Sequence, residues 1–240
     1  AAAAAMARAG FDILSVANNH AWDQRVEGLV ETITALNQAN IAAVGAAGSE
    51  DDAPGPIVVS RGGVRVAFVA FTEIIQGSPG RRRPPLRVSM WDEGAARRVL
   101  SQARAEADVV VASMHWGLGY RHDDRSEQRS AAAFLVRRGA DVVLGHGPHV
   151  LQRVERVASP RGEAVVVYSL GNLISNQGYL YRQGHRERGV EVPLREPATR
   201  DGVWLRVAVD LAGDEIRVGG VEALPLWTHN NYWDLERRRT

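Results

Sequence analysis

The 240-residue chain contains no cysteine, which excludes disulfides, thiolate metal ligands and a cysteine nucleophile. It has no lysine either: all 29 basic residues are arginine. That excludes Schiff-base lysine chemistry and the lysine of a phosphate-binding P-loop. Neither sign of charge dominates, since 28 acidic residues leave a formal charge of +1. So even a balance argues against a surface built for nucleic acid or for an anionic membrane. No run of apolar residues approaches the roughly 18 needed to cross a bilayer. A basic leader followed by a leucine-rich stretch is also missing, so the opening Ala1-Ala2-Ala3-Ala4-Ala5-Met6 does not read as a signal peptide. It reads as the last turns of a helix stopped at Gly10, with a flexible tail as the alternative.

What the chain does have is alternation. Phe11 to Ala17 reads as a buried strand, Glu27 to Ala39 as an amphipathic helix and Ile41 to Val44 as a short strand. Val58 to Phe71 reads as a hairpin ending in a buried strand. Asp92 is placed to cap a helix reaching about Ala107, and Asp108 to Ser113 is a β-branched central strand. Ser126 is read as the cap of a helix through Arg138, with Gly139 as its stop. Asp141 to Leu144 and Ala164 to Leu170 read as further strands, and Val203 to Val209 with Glu215 to Val221 as a closing hairpin. Gln76 to Ser89 and Asn176 to Arg200 read as long surface loops. Strands alternating with helices predict an α/β fold with a mostly parallel sheet, in one domain over residues 1–240.

In such sheets functional groups gather beyond the carboxyl ends of the strands. Asn18-Asn19-His20 follows the first strand and His115-Trp116-Gly117 follows the central one. Gly145-His146-Gly147-Pro148-His149 and Gly171-Asn172 follow the next two. The expectation is that four strand ends deliver these groups to one side of one sheet, with His122 close behind His115. Imidazoles and amide oxygens are ligands for divalent ions. Each piece also has an ordinary structural reading: a turn at Asn18-Asn19, a hydrogen-bonded His115, a tight Gly-His-Gly-Pro-His turn. Their joint position makes a shared metal or phosphate-type site the better reading. Asp23 is the nearest carboxylate read there. Arg81-Arg82-Arg83 reads as a solvated loop; Arg182 and Arg186, with His185 between them, read equally as a solvated loop or as candidates to meet an anionic substrate. Trp116 either walls the pocket or packs in the core. Trp227 to Trp233 reads as a tail packed on the domain.

The segment Gly10-Phe11-Asp12-Ile13-Leu14-Ser15-Val16-Ala17-Asn18-Asn19-His20-Ala21-Trp22-Asp23 resembles the "GFD…ANNHxxD" segment of the CapA family of capsule and poly-γ-glutamate synthesis proteins. His115-Trp116-Gly117, Gly145 to Gln152 and Tyr168 to Leu173 resemble that family's "HWG", "GHxPHVxQ" and "YSLGNF" segments, in the same order. The resemblance implies a calcineurin-like metallophosphoesterase fold: a layered sheet with helices on its outer faces, here lacking the first strand or strands. It implies Asn19, His115, His146 and His149 as metal ligands for manganese, iron or zinc, and His20 as the catalytic histidine. Asn18, Asp23, Trp116, Asn172, Arg182 and Arg186 would then surround the substrate. The family's "GHHPH" has a further histidine where Gly147 stands, and its acidic "NLE" segment has no counterpart here.

Two functions fit this reading. One is a metal-dependent hydrolase or transferase of phosphoester-like chemistry in cell-envelope polymer synthesis. The other is a non-catalytic accessory protein that holds an anionic polymer in the same cleft, beside other capsule-synthesis proteins. Relatives of this kind are often tethered outside the cytoplasmic membrane, so the resemblance points to the cell envelope.

Overall fold

The computed structural model describes residues 1–47, 54–78, 87–178, 196–212 and 215–229. Helix α1 (Ala2–Arg8) leads through Gly10 into strand β1 (Ile13–Ser15), and helix α2 (Arg25–Gln38) returns the chain to β2 (Ala42–Val44). The two strands pair in parallel, Ile13 opposite Ala42 and Ser15 opposite Val44. Val26, Leu29 and Leu36 form the buried stripe of α2 and pack with Val16, Trp22 and Ile41. Two-residue strands β3 (Ala46–Ala47) and β6 (Arg87–Val88) pair with one another in antiparallel sense.

The centre of the molecule is a six-stranded sheet. Its members are β4 (Ile57–Arg61), β5 (Val64–Thr72), β7 (Val109–His115), β8 (Val142–His146), β9 (Val154–Ser159) and β10 (Gly162–Val167). Their order is β4-β5-β7-β8-β10-β9. The four inner strands run parallel and each edge strand is antiparallel to its neighbour. Inner strands are nearly continuous runs of Val, Ala, Phe and Met, as expected where both faces are covered. The edge strand β9 was not foreseen. Val154-Glu155-Arg156-Val157 alternates exposed and half-buried positions, a pattern weaker than an apolar run.

Helices α3 (Glu93–Glu106) and α4 (Ser126–Arg137) lie on one face of this sheet. Asp92 caps α3 by accepting from the Ala95 amide at 2.8 Å. For α4 the cap sits one residue earlier than expected. Arg125 N–H donates to Gln128 Oε1 at 3.0 Å, and Ser126 turns its hydroxyl to Glu127 instead. Ala96, Leu100 and Ala103 of α3 and Leu135 of α4 meet Val69, Val110, Ala112 and Val143 in the main core. On the other side the β1–β2 sheet meets the large one through Ala17, Val44 and Ala70, with α1 and α2 packed outside it. The layers are therefore helix, sheet, sheet and helix, in that order.

A short 3-10 helix (Pro197–Arg200) leads into a long hairpin, β11 (Asp201–Ala212) and β12 (Glu215–Trp227). The base of the hairpin joins the end of β10: Val203 N–H donates to Leu170 O and Asn172 N–H to Asp201 O. One expectation needs correction. The Asn18–His20 turn does not leave the same sheet as the histidines of β7 and β8, because β1 pairs only with β2 in a separate two-stranded sheet. A three-residue apolar strand carries no information about which sheet will take it.

Candidate metal centre

Side chains alternate across a strand with a period of two. Val110, Ala112 and Met114 of β7 and Val143 of β8 face the helices in the core. Ser113, His115, Leu144 and His146 therefore face the other way. In the register of the parallel pair, His115 stands directly beside His146 and Ser113 beside Leu144. The two rings meet with Nδ1 to Nδ1 at 3.0 Å, and His146 Nε2 lies 3.0 Å from Ser113 Oγ.

His115 is buried, at 8% exposure. Loss of water pushes its pKa down to about 4, helped by the fields of His149 and His20. The same cause, followed by the field of His115, holds His146 down to about 3. Both rings are then neutral near pH 7. The chain Ser113–His146–His115 has the outline of an activated serine, but a base with so low a pKa takes a serine proton poorly. Neutral imidazoles are what a metal ion needs. Two nitrogens each about 2.1 Å from an ion and 3.0 Å from one another would subtend about 90° at it, an ordinary angle between neighbouring ligands. The pair fits a divalent ion as half of a ligand set. Among the described residues, no group of three or more His, Asp or Glu side chains is set to hold a metal ion.

The glycines beside His146 are required by Trp116. A Cβ on Gly145 would meet the Tyr168 carbonyl and Trp116 Nε1, and one on Gly147 would lie 2.5 Å from Trp116 O. Gly147 also sits at φ +117°. Trp116 itself is a core residue at 1% exposure, stacked on Tyr168 and donating from Nε1 to its carbonyl at 2.8 Å. The second histidine of the turn is positioned from two sides. His149 has φ +61°, its Nδ1 lies 3.0 Å from Asn172 Oδ1, and its ring stacks on Tyr120 at 5.9 Å. Asn172 in turn donates from Nδ2 to Thr199 O at 2.8 Å. Its amide thus holds His149 and the start of the hairpin together.

On the β1 side, His20 Nδ1 lies 2.8 Å from Asp23 Oδ2, and Asn19 Nδ2 lies 3.3 Å from His20 Nε2. A carboxylate only accepts, so Nδ1 carries the proton and Nε2 is the basic nitrogen. The same geometry turns the Asn19 amide oxygen away from His20. Asn18 closes the turn by accepting from the His20 amide at 2.8 Å. His122 stands apart, with Nδ1 3.0 Å from Leu151 O.

A model of the family described as bacterial capsule synthesis protein PGA_cap matches residues 1–177. The chain belongs to this family. It is 35% identical over 171 residues to the PGA biosynthesis protein CapA of Bacillus subtilis, covering 70% of this chain and 44% of that protein. It is 33% identical over 180 residues to the capsule biosynthesis protein CapA of Bacillus anthracis, covering 73% and 43%. A protein named "Probable polyglutamine synthesis accessory protein" from Mycobacterium tuberculosis is 27% identical over 175 residues, covering 68% and 45%. The chain thus spans less than half the length of these curated relatives. Among solved structures, the calcineurin-like phosphoesterase YfkN of Bacillus subtilis superposes with a TM-score of 0.52 at 14% identity, over 94% of this chain and 66% of that one. A 5'-nucleotidase precursor from Thermus thermophilus gives 0.56 at 16% identity, over 98% and 43%. The fold is that of the calcineurin-like phosphoesterases.

Asn18, Asn19, His20, Asp23, His115, Trp116, His146, His149 and Asn172 all lie within the span matched by the PGA_cap model. Arg182, His185 and Arg186 lie beyond it and outside the described residues; Arg81 to Arg83 lie within it but also outside the described residues. Glu73 is the carboxylate that sequence reading passed over. It follows β5, donates its amide to His115 O at 2.9 Å, and accepts from Gly117 N–H at Oε2, 3.2 Å away. Its signal was present in Val69-Ala70-Phe71-Thr72-Glu73: a buried strand that ends on an acid.

Proposed function

We propose that this chain carries a metal-dependent, phosphoesterase-like hydrolase or transferase centre that serves the synthesis of an anionic cell-envelope polymer of the poly-γ-glutamate or capsule type. One observation carries the reading: two neutral imidazoles, His115 and His146, brought to a 3.0 Å approach at register-paired strand ends. His115 and His146 would hold a divalent ion such as manganese, iron or zinc, with His149 and the Asn19 amide oxygen as further ligands. A bound ion of this kind supplies Lewis acidity and lowers the pKa of water.

The remaining residues act around that centre. Asp23 fixes the His20 tautomer, so Nε2 is the atom that takes or gives a proton near a leaving oxygen. Ser113 Oγ, on the far nitrogen of His146, orients that ring. Asn172 and Tyr120 hold His149 in its left-handed backbone conformation. Arg182 and Arg186 remain candidates for the anionic substrate. The residues fall in one chain segment, and we propose that it acts as a single domain.

The test is metal content of the purified chain after exposure to manganese, iron and zinc, beside a His115→Ala/His146→Ala variant, followed by a phosphoester screen. Stoichiometric metal lost in the variant is expected, with turnover that follows the metal. No metal in either protein, both folded by circular dichroism, would overturn the enzyme reading. A second reading is favoured by the printed name of the mycobacterial relative: an accessory role in which the cleft binds an anionic polymer without turnover. Metal-independent binding of poly-γ-glutamate, with no hydrolysis, would support it.

A further inference from the structure

The proposed ligands come from two separate sheets, so something must hold the Asn19–His20 turn against the β7 and β8 strand ends. The segment after β5 touches both. Glu73 N–H donates to His115 O at 2.9 Å, and three residues later Gln76 N–H donates to Asn19 O at 2.7 Å. Gly77 then bridges to Trp22, at φ +77°, where a Cβ would lie 3.0 Å from Trp22 O. The segment is itself braced: Thr72 Oγ1 donates to Ile74 O at 2.7 Å, and the Thr72 amide and carbonyl bond to Ser89 and Trp91.

Within this strap one side chain acts directly on the histidine turn. Gly117, two residues past the end of β7, is at φ +80°. Glu73 Oε2 takes that N–H at 3.2 Å. Glu73 thus grips both ends of the tripeptide His115-Trp116-Gly117, by its backbone at one end and by its carboxylate at the other. No other described carboxylate is bonded to this turn.

We infer that Glu73 is a positioning residue for His115, and that the strap from Glu73 to Gly77 couples the His115–His146 pair to the Asn19–His20 turn. The inference deepens the metal-centre reading and rests on His115 and Asn19 being its residues. Its first test uses the metal-free full chain. The proton shared between the His115 and His146 nitrogens should give a downfield, exchange-protected imidazole N–H resonance in a sample labelled with 15N at histidine. In Glu73→Ala this resonance should be lost or broadened while circular dichroism and the cooperative unfolding transition remain. Glu73→Gln, whose amide oxygen still accepts from Gly117, should keep it. In Glu73→Gln the Gly117 amide proton should still shift, because a neutral acceptor replaces a charged one.

An unchanged imidazole resonance in folded Glu73→Ala, or its loss in Glu73→Gln as well, would overturn the inference. Should Glu73→Ala fail to fold, an unmoved Gly117 amide in Glu73→Gln would overturn it equally. Cobalt(II) titration of the same samples separates the two readings. Glu73→Ala should bind cobalt about 10- to 100-fold more weakly than wild type, the usual effect of removing a group that orients a ligand. A wild-type chain that binds no cobalt sinks the metal reading and leaves the positioning result standing.

Discussion

Replacing Arg104 by leucine should cost the protein a large share of its stability without touching the candidate site. Arg104 lies at the end of α3 and is largely buried, with 17% of its side chain exposed against 9% for Asp141. Its Nη1 donates to Asp141 Oδ2 at 2.5 Å and to Gly139 O at 3.2 Å, while Nη2 donates to Ala107 O at 2.7 Å. Asp141 Oδ2 also accepts from the Val110 amide at 2.8 Å. One guanidinium thus joins α3, the end of α4 and the amino ends of β7 and β8. Removing one partner of a buried pair leaves an uncompensated charge and typically costs about 3–5 kcal/mol. Arg161, 3.4 Å from Asp141 Oδ1, remains as partial compensation, which places the expected loss near the lower end. For a chain of this size that is a fall of about 6–12 °C in Tm. Urea denaturation of Arg104→Leu, Asp141→Asn and the double variant measures it. The double variant should cost clearly less than the sum of the singles, because it removes both charges. A loss below about 1 kcal/mol in Arg104→Leu, or strictly additive singles, would refute the reasoning.

Other outcomes follow from the site. His20→Ala should lower turnover by about 10²- to 10⁴-fold with metal content unchanged, and Asp23→Asn should do so in part, because the tautomer is no longer fixed; steady-state kinetics beside elemental analysis checks both. Gly145→Ala should destabilise by about 1–3 kcal/mol as the new methyl displaces Trp116 from Tyr168; near-ultraviolet circular dichroism should show the lost indole environment. In chelated protein, His115 and His146 are neutral when folded and take up protons when unfolded below about pH 6.5. Acid therefore favours the unfolded state, and stability should fall from pH 6.5 toward 4 by about 2 kcal/mol per imidazole at pH 5. Denaturant midpoints at pH 7 and 5 should converge in a His115→Asn/His146→Asn variant; an equal drop in variant and wild type would count against the shifted values.

Much of this was written in the chain. Val109 to His115 and Val142 to His146 declare themselves by β-branched runs that stop at histidine, and Asp92 marks the start of its helix. Separate placement of β1 was not legible, because three apolar residues cannot specify a neighbour. Edge strand β9 was missed since half of its residues face water. Glu73 escaped because its role depends on a backbone amide 44 residues away, a partner with no side chain to read. Trp116 had two readings open, and Tyr168 decides between them: its carbonyl takes the indole N–H and its ring supplies the stack.

The bond from Asn172 to Thr199 has a practical consequence for where this fold can be cut. The family match stops at residue 177, which invites a shortened chain ending there. Such a chain would keep every histidine of the candidate centre. It would discard the carbonyls of Thr199 and Asp201 that fasten Asn172, and with them the brace on His149. A boundary drawn by sequence similarity and one drawn by mechanical support differ here by about one strand pairing, and the second is the one a stable shortened chain has to respect.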